Sequence, residues 1–125
     1  MTKDKNMKEN IVKIKSFAFA VRIIRLYQYL VNTKKEFVLS KQLLRSGTSV
    51  GAMVREAEHS ESTNDFKHKL AIAQKEINES IYWLELLVET DYLTKEQFET
   101  LNNDAIEIIK LITSIIKSVK AKNNC

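Results

Sequence analysis

Thr94-Lys95-Glu96-Gln97-Phe98-Glu99-Thr100-Leu101-Asn102-Asn103-Asp104-Ala105-Ile106-Glu107-Ile108-Ile109-Lys110-Leu111-Ile112-Thr113-Ser114-Ile115-Ile116-Lys117-Ser118-Val119 carries an unbroken helical rhythm. Phe98, Leu101, Ala105, Ile108, Ile112, Ile115 and Val119 recur at spacings of 3, 4, 3, 4, 3 and 4. An α-helix turns once in 3.6 residues, so this pattern draws one apolar stripe along a rod. Thr94 and Gln97 stand three apart at its start, the arrangement of a reciprocal capping box.

The rhythm recurs three times upstream. Leu43, Gly47, Val50, Val54 and Ala57 form a second seam, and Phe66, Leu70, Ala73, Ile77, Ile81, Leu84 and Val88 a third. In the first helix, from about Lys8 to Asn32, Ile14, Phe17, Val21, Ile24 and Val31 mark the expected inward stripe. Phe19, Ile23, Leu26, Tyr27 and Leu30 widen it. The expected N-caps are Ser40 for the second helix and Ser62, with Asp65, for the third. The third helix should end near Thr90.

Two glycines and no proline in 125 residues leave little to break such rods. Gly47 and Gly51, four apart inside a seam, point to close approach by a neighbouring helix. The connections at Thr33–Glu36 and His59–Asn64 are short, so neighbouring helices run antiparallel. The predicted fold is all-α, an antiparallel up-down-up-down four-helix bundle over residues 11–120. A flexible basic tail (1–10) and a disordered C-terminal tail (121–125) are expected to flank it. Helices 1 and 4 carry more apolar surface than one interior requires, with Ile109, Leu111 and Ile116 beside the seam of helix 4. That surplus predicts a symmetric homo-oligomer.

No apolar run approaches the roughly 20 residues of a membrane span, so no membrane role is expected. The single cysteine, Cys125, allows no internal disulfide, and a cytoplasmic location is expected. No Ser-His-Asp or Cys-His set and no glycine-rich phosphate loop can be drawn. Glu56-x-x-His59 and Asp65-x-x-His68 have the spacing of di-iron bundle ligands. Both flank one turn, however, and the other helices supply too few carboxylates at that level, so neither metal nor cofactor is expected.

Charge is unevenly spread. Residues 1–35 carry nine Lys/Arg against two Asp/Glu, whereas residues 61–93 carry three against seven. Lys8, Lys15 and Arg22 recur every seven residues on helix 1, and Arg25 extends their face. The predicted topology brings Lys117, Lys120 and Lys122 of helix 4 to the same end. A clustered basic surface suits phosphate-backbone binding. These seven residues are the expected contacts to RNA or DNA, read by shape and charge without base specificity. On helices 2 and 3, antiparallel register should set Arg45 against Glu76 and Glu56 against Lys69, as structural polar pairs that fix the alignment.

The stretch from Lys34 to Ala52, including Gln42-Leu43-Leu44-Arg45-Ser46-Gly47-Thr48-Ser49-Val50-Gly51-Ala52, resembles the four-helix-bundle proteins encoded in 23S rRNA intervening sequences. Asp65–Ala73, Lys75-Glu76 and Tyr82-Trp83-Leu84-Glu85-Leu86-Leu87 resemble the third helix of the same family, and the likeness spans about residues 14–118. The chain departs at Met53, where the family pattern usually has asparagine. The resemblance implies a homopentamer. It also implies kinship with the accessory variability determinant of diversity-generating retroelements, a basic barrel that engages a reverse transcriptase and nucleic acid. Two functions are therefore expected: a non-enzymatic oligomeric nucleic-acid-binding accessory protein, or a protein-interaction scaffold without a nucleic-acid role.

Overall fold

In a computed structural model, four helices account for nearly the whole chain: α1 (Lys3–Asn32), α2 (Leu39–Glu58), α3 (Thr63–Glu89) and α4 (Lys95–Asn123). The structure describes the backbone of residues 3–123 and the side chains of residues 7–120. Each helix packs closely on two neighbours, α1 on α2 and α4, and α3 on α2 and α4. The result is an all-α four-helix bundle. Helix α1 begins at Lys3, so residues expected to form an N-terminal tail belong to the first helix, and α4 likewise runs past residue 120.

The core follows the seams closely in α2 and α4. Leu43, Gly47, Val50, Val54 and Ala57 are buried, as are Leu101, Ala105, Ile108, Ile112, Ile115 and Val119. Ile109, Leu111 and Ile116 also pack against this core, so the apolar surplus of α4 is used inside the bundle. In α3 the buried row runs Leu70, Ala73, Ile77, Ser80, Leu84 and Leu87, with Ile81 and Val88 at its edge. Ser80 enters the core because its hydroxyl is satisfied: it donates to Glu76 O and shares a hydroxyl–hydroxyl hydrogen bond with Ser46 Oγ, each at 2.9 Å.

Helix α1 corrects the expectation. Its buried row is Val12, Ser16, Phe19, Ile23 and Leu30, whereas Ile14, Phe17 and Ile24 are exposed. The helix carries two apolar rows, so spacing alone could not choose the inward face. Contact with α2 chose it. A Cβ on Gly47 would lie 2.8 Å from two side-chain carbons of Ile23, and one on Gly51 would lie 3.4 Å from the Ser16 carbonyl oxygen. Gly47 is thus the position where α1 comes too near for a methyl group.

The helix ends are held by side chains. Thr94 N donates to Gln97 Oε1 at 2.9 Å and Gln97 N to Thr94 Oγ1 at 3.1 Å, which completes the box at α4. Ser62 Oγ accepts from Asp65 N at 3.1 Å at α3. At α2 the cap is not Ser40. The Glu36 carboxylate accepts from the backbone N–H groups of Val38, Leu39 and Ser40 at 3.2, 2.9 and 2.7 Å, and the Ser40 hydroxyl instead donates back to Glu36 O at 2.8 Å. An anion that takes three free amides outcompetes a hydroxyl that could take one.

Candidate nucleic-acid interface

The start of α1 and the end of α4 share one end of the bundle, and polar side chains join them. Lys8 Nζ donates to Ser114 Oγ at 2.7 Å, and Lys15 Nζ lies 2.8 Å from Glu107 Oε1. Arg22 pairs with Asp104 and donates to Thr100 Oγ1 at 2.9 Å. Each step of seven residues up α1 therefore meets a step of seven down α4, the register of two antiparallel rods.

This register divides the cations expected to bind phosphate. Lys15 and Arg22 have acidic partners on α4, and Lys8 is tied to a serine. The hydrogen bond and charge of Glu107 hold the Lys15 ammonium above the usual lysine range. Arg25, Lys117 and Lys120 are exposed and have no ion pair among the described residues. The side chain of Lys122 lies outside the described residues, as do those of Lys3 and Lys5. Helix α1 is thus less open to an anion than its composition suggests.

Across the α2–α3 interface, Arg45 Nη1 lies 2.9 Å from Glu76 Oε2, and Lys69 Nζ lies 3.1 Å from Glu56 Oε1. Arg45 also pairs with Glu79, which accepts from Trp83 Nε1 at 3.2 Å. The bond from Arg45, opposed by burial and aided by Trp83, leaves the Glu79 carboxyl below the usual carboxylate range. Sequence register pointed to Arg45, Glu76, Glu56 and Lys69. It missed Glu79 and Trp83, although their i, i+4 spacing was a usable signal.

Two other features stand at the surface. Met7, Ile11, Ile14, Phe17 and Ile24 expose an apolar strip along α1, with Ile14 at 68% and Phe17 at 58% exposure. Arg55 lies over the Phe17 ring at 5.8 Å from its centroid. At the end of the bundle near the α2–α3 connection, a cleft of about 590 Å³ has Val12, Val54, Leu70 and Ile115 among its apolar walls and Glu58 and Glu61 among its polar ones. Among the described residues, no group of three or more His, Cys, Asp or Glu is placed to hold a metal ion. Glu56 of the Glu-x-x-His sequence is engaged by Lys69. No helix is long and apolar enough to cross a membrane, over the described residues.

The sequence profile described as 23S rRNA-intervening sequence protein matches residues 8–114. A solved structure of a protein of unknown function from the S23 ribosomal protein family, from Bacteroides thetaiotaomicron VPI-5482, is 63% identical. Its similarity covers 88% of this chain and 98% of that one, with a TM-score of 0.88. No curated protein matches the chain. The matched profile takes in all four helices and the polar pairs between them, and the chain belongs to the family of 23S rRNA-intervening sequence proteins.

Proposed function

We propose that this chain is a non-enzymatic accessory protein of the cytoplasm that assembles with copies of itself and holds RNA or DNA by the phosphate backbone, without reading bases. The observation that carries this reading is the pair Lys117 and Lys120 on α4: exposed cations, unpaired among the described residues, at the bundle end where Lys8 also sits. Acids pair with Lys15 and Arg22 further along, which leaves those two cations less available to an anion. The family's tie by name to 23S rRNA supports RNA as one ligand.

Self-assembly is supported by the α1 strip. Met7, Ile11, Ile14, Ala18 and Val21 follow one another at spacings of 4, 3, 4 and 3, a second heptad seam on a helix whose first seam is already in the core. Such a seam suits another helix, and a ring of the pentameric kind implied by the resemblance would multiply the lysine pair.

The test is gel retardation of an RNA hairpin and a DNA duplex by protein freed of bound nucleic acid. Retardation at low salt that collapses as salt rises supports the proposal, since each duplex phosphate neutralised contributes a log–log slope of about −0.9. No retardation of either at low salt overturns it. The second reading, a scaffold for another protein such as a reverse transcriptase, is favoured by the same α1 strip. Its oligomer would present a surface to that partner, so it predicts a protein that co-purifies with the chain and indifference to Lys→Glu changes at Lys117 and Lys120.

A further inference from the structure

We infer that the nucleic-acid backbone runs along the seam between α3 and α4, held by Lys67, Lys110, Lys117 and Lys120, and not along α1. This rests on the nucleic-acid reading above and names its contact surface.

Gln74 Nε2 of α3 donates to Thr113 Oγ1 of α4 at 2.7 Å, which fixes the facing positions of these two antiparallel helices. Seven residues are close to two helical turns, about 10.5 Å. Moving seven residues toward the α2–α3 connection reaches Lys67 on α3 and Lys120 on α4. Two lysines therefore occupy the position equivalent to a hydrogen-bonded Gln–Thr pair. Lys117 stands one turn from Lys120, and Lys110 two turns from Lys117.

Nothing among the described residues neutralises this row. Lys67, Lys110, Lys117 and Lys120 have no ion pair, whereas neighbouring Lys69 points to α2 and is taken by Glu56. The nearby acids of α4, Asp104 and Glu107, are committed to Arg22 and Lys15 on the opposite flank. Like charges set opposite each other are unfavourable without a counter-ion, and a phosphate between them removes the repulsion. Along α4 the row from Lys110 to Lys120 is about 15 Å long, enough for several successive phosphates and too long for one phosphate group. A polymeric anion fits it. The exposed strip of α1 is left free for a second copy of the chain, so assembly and nucleic-acid binding use different faces.

The experiment compares the intact chain with three variants: Lys67→Glu/Lys117→Glu, the milder Lys67→Gln/Lys117→Gln, and Arg25→Glu. Circular dichroism checks folding, and each is titrated with a 30-nucleotide RNA, a DNA duplex and phosphatidylserine vesicles. The glutamate pair should weaken duplex binding at least about tenfold at low salt and reduce the salt slope by about 2, with the glutamine pair intermediate. Arg25→Glu should stay within about twofold of the intact chain. If the intact chain binds, and Arg25→Glu loses binding while both Lys67/Lys117 variants keep it, the seam assignment is overturned and the nucleic-acid reading survives. If the intact chain binds vesicles through these lysines and binds neither nucleic acid, both fall.

Discussion

Glu36 shows how one side chain can set a junction between helices. It is only 7% exposed, yet its carboxylate serves three backbone amides at the start of α2. Burial pushes its pKa up, but the bonds from Leu39, Ser40 and Val38 outweigh burial and the net shift is downward. A depressed carboxylate pKa stabilises the fold above the unfolded value of about 4.3, and that stability is lost as pH falls through the folded value. Glu36→Gln should therefore cost about 1–2 kcal/mol at neutral pH and flatten the acid limb of stability below about pH 5 in urea titrations. The two glycines of α2 should respond with opposite signs. Gly47→Ala must displace the buried Ile23, a cost of about 1–3 kcal/mol that exceeds the helix-propensity gain. Gly51→Ala meets only ordinary contact distance at Ser16 and should stabilise by up to about 1 kcal/mol. Thermal unfolding of the two single variants decides both signs.

Helix α3 ends in a left-handed turn made by a residue with a side chain. Asp91 has φ 68°, and Tyr92 N donates to Leu87 O at 2.9 Å while Asp91 N donates to Val88 O at 3.2 Å. These are the two bonds of a Schellman cap, whose left-handed position favours glycine. Asp91→Gly should raise stability by about 0.5–1 kcal/mol, measured as a shift of the urea midpoint at unchanged slope. Among the elements, α2 and α4 were legible from their spacing because the buried row of each follows one regular seam. Helix α1 was not: it carries apolar residues on both a buried and an exposed row, and the pairs Lys8–Ser114, Lys15–Glu107 and Arg22–Asp104 show which side turned toward α4. The cap on α2 was misread for a different reason. A hydroxyl at the start of a helix is one local signal, and Glu36, only two to four residues before the amides it takes, is a second local signal that outcompetes it.

At the scale of the molecule, the apolar strip on α1 is surplus to the bundle. Ile14→Glu/Phe17→Ser should leave helix content and urea stability close to those of the parent, because neither side chain is in the core. The same variant should sediment as a smaller species than the parent. A parent that is already monomeric would refute assembly through this strip. The candidate binding site was legible only in part. Nothing in spacing alone revealed that Lys15 and Arg22 would meet acids, or that Gln74 would meet Thr113 and so set the register of α3 against α4. Charge counts treat every lysine alike, and pairing distinguishes them.

Sequence alone was enough to determine four rods, their order and their antiparallel packing, since periodic apolar residues and short connections act within one helix or one turn. Tertiary structure alone decided which face of α1 is inside and which cations remain unpaired. Those outcomes depend on contacts between residues tens of positions apart, where fit and charge pairing choose among faces that look equivalent along the chain.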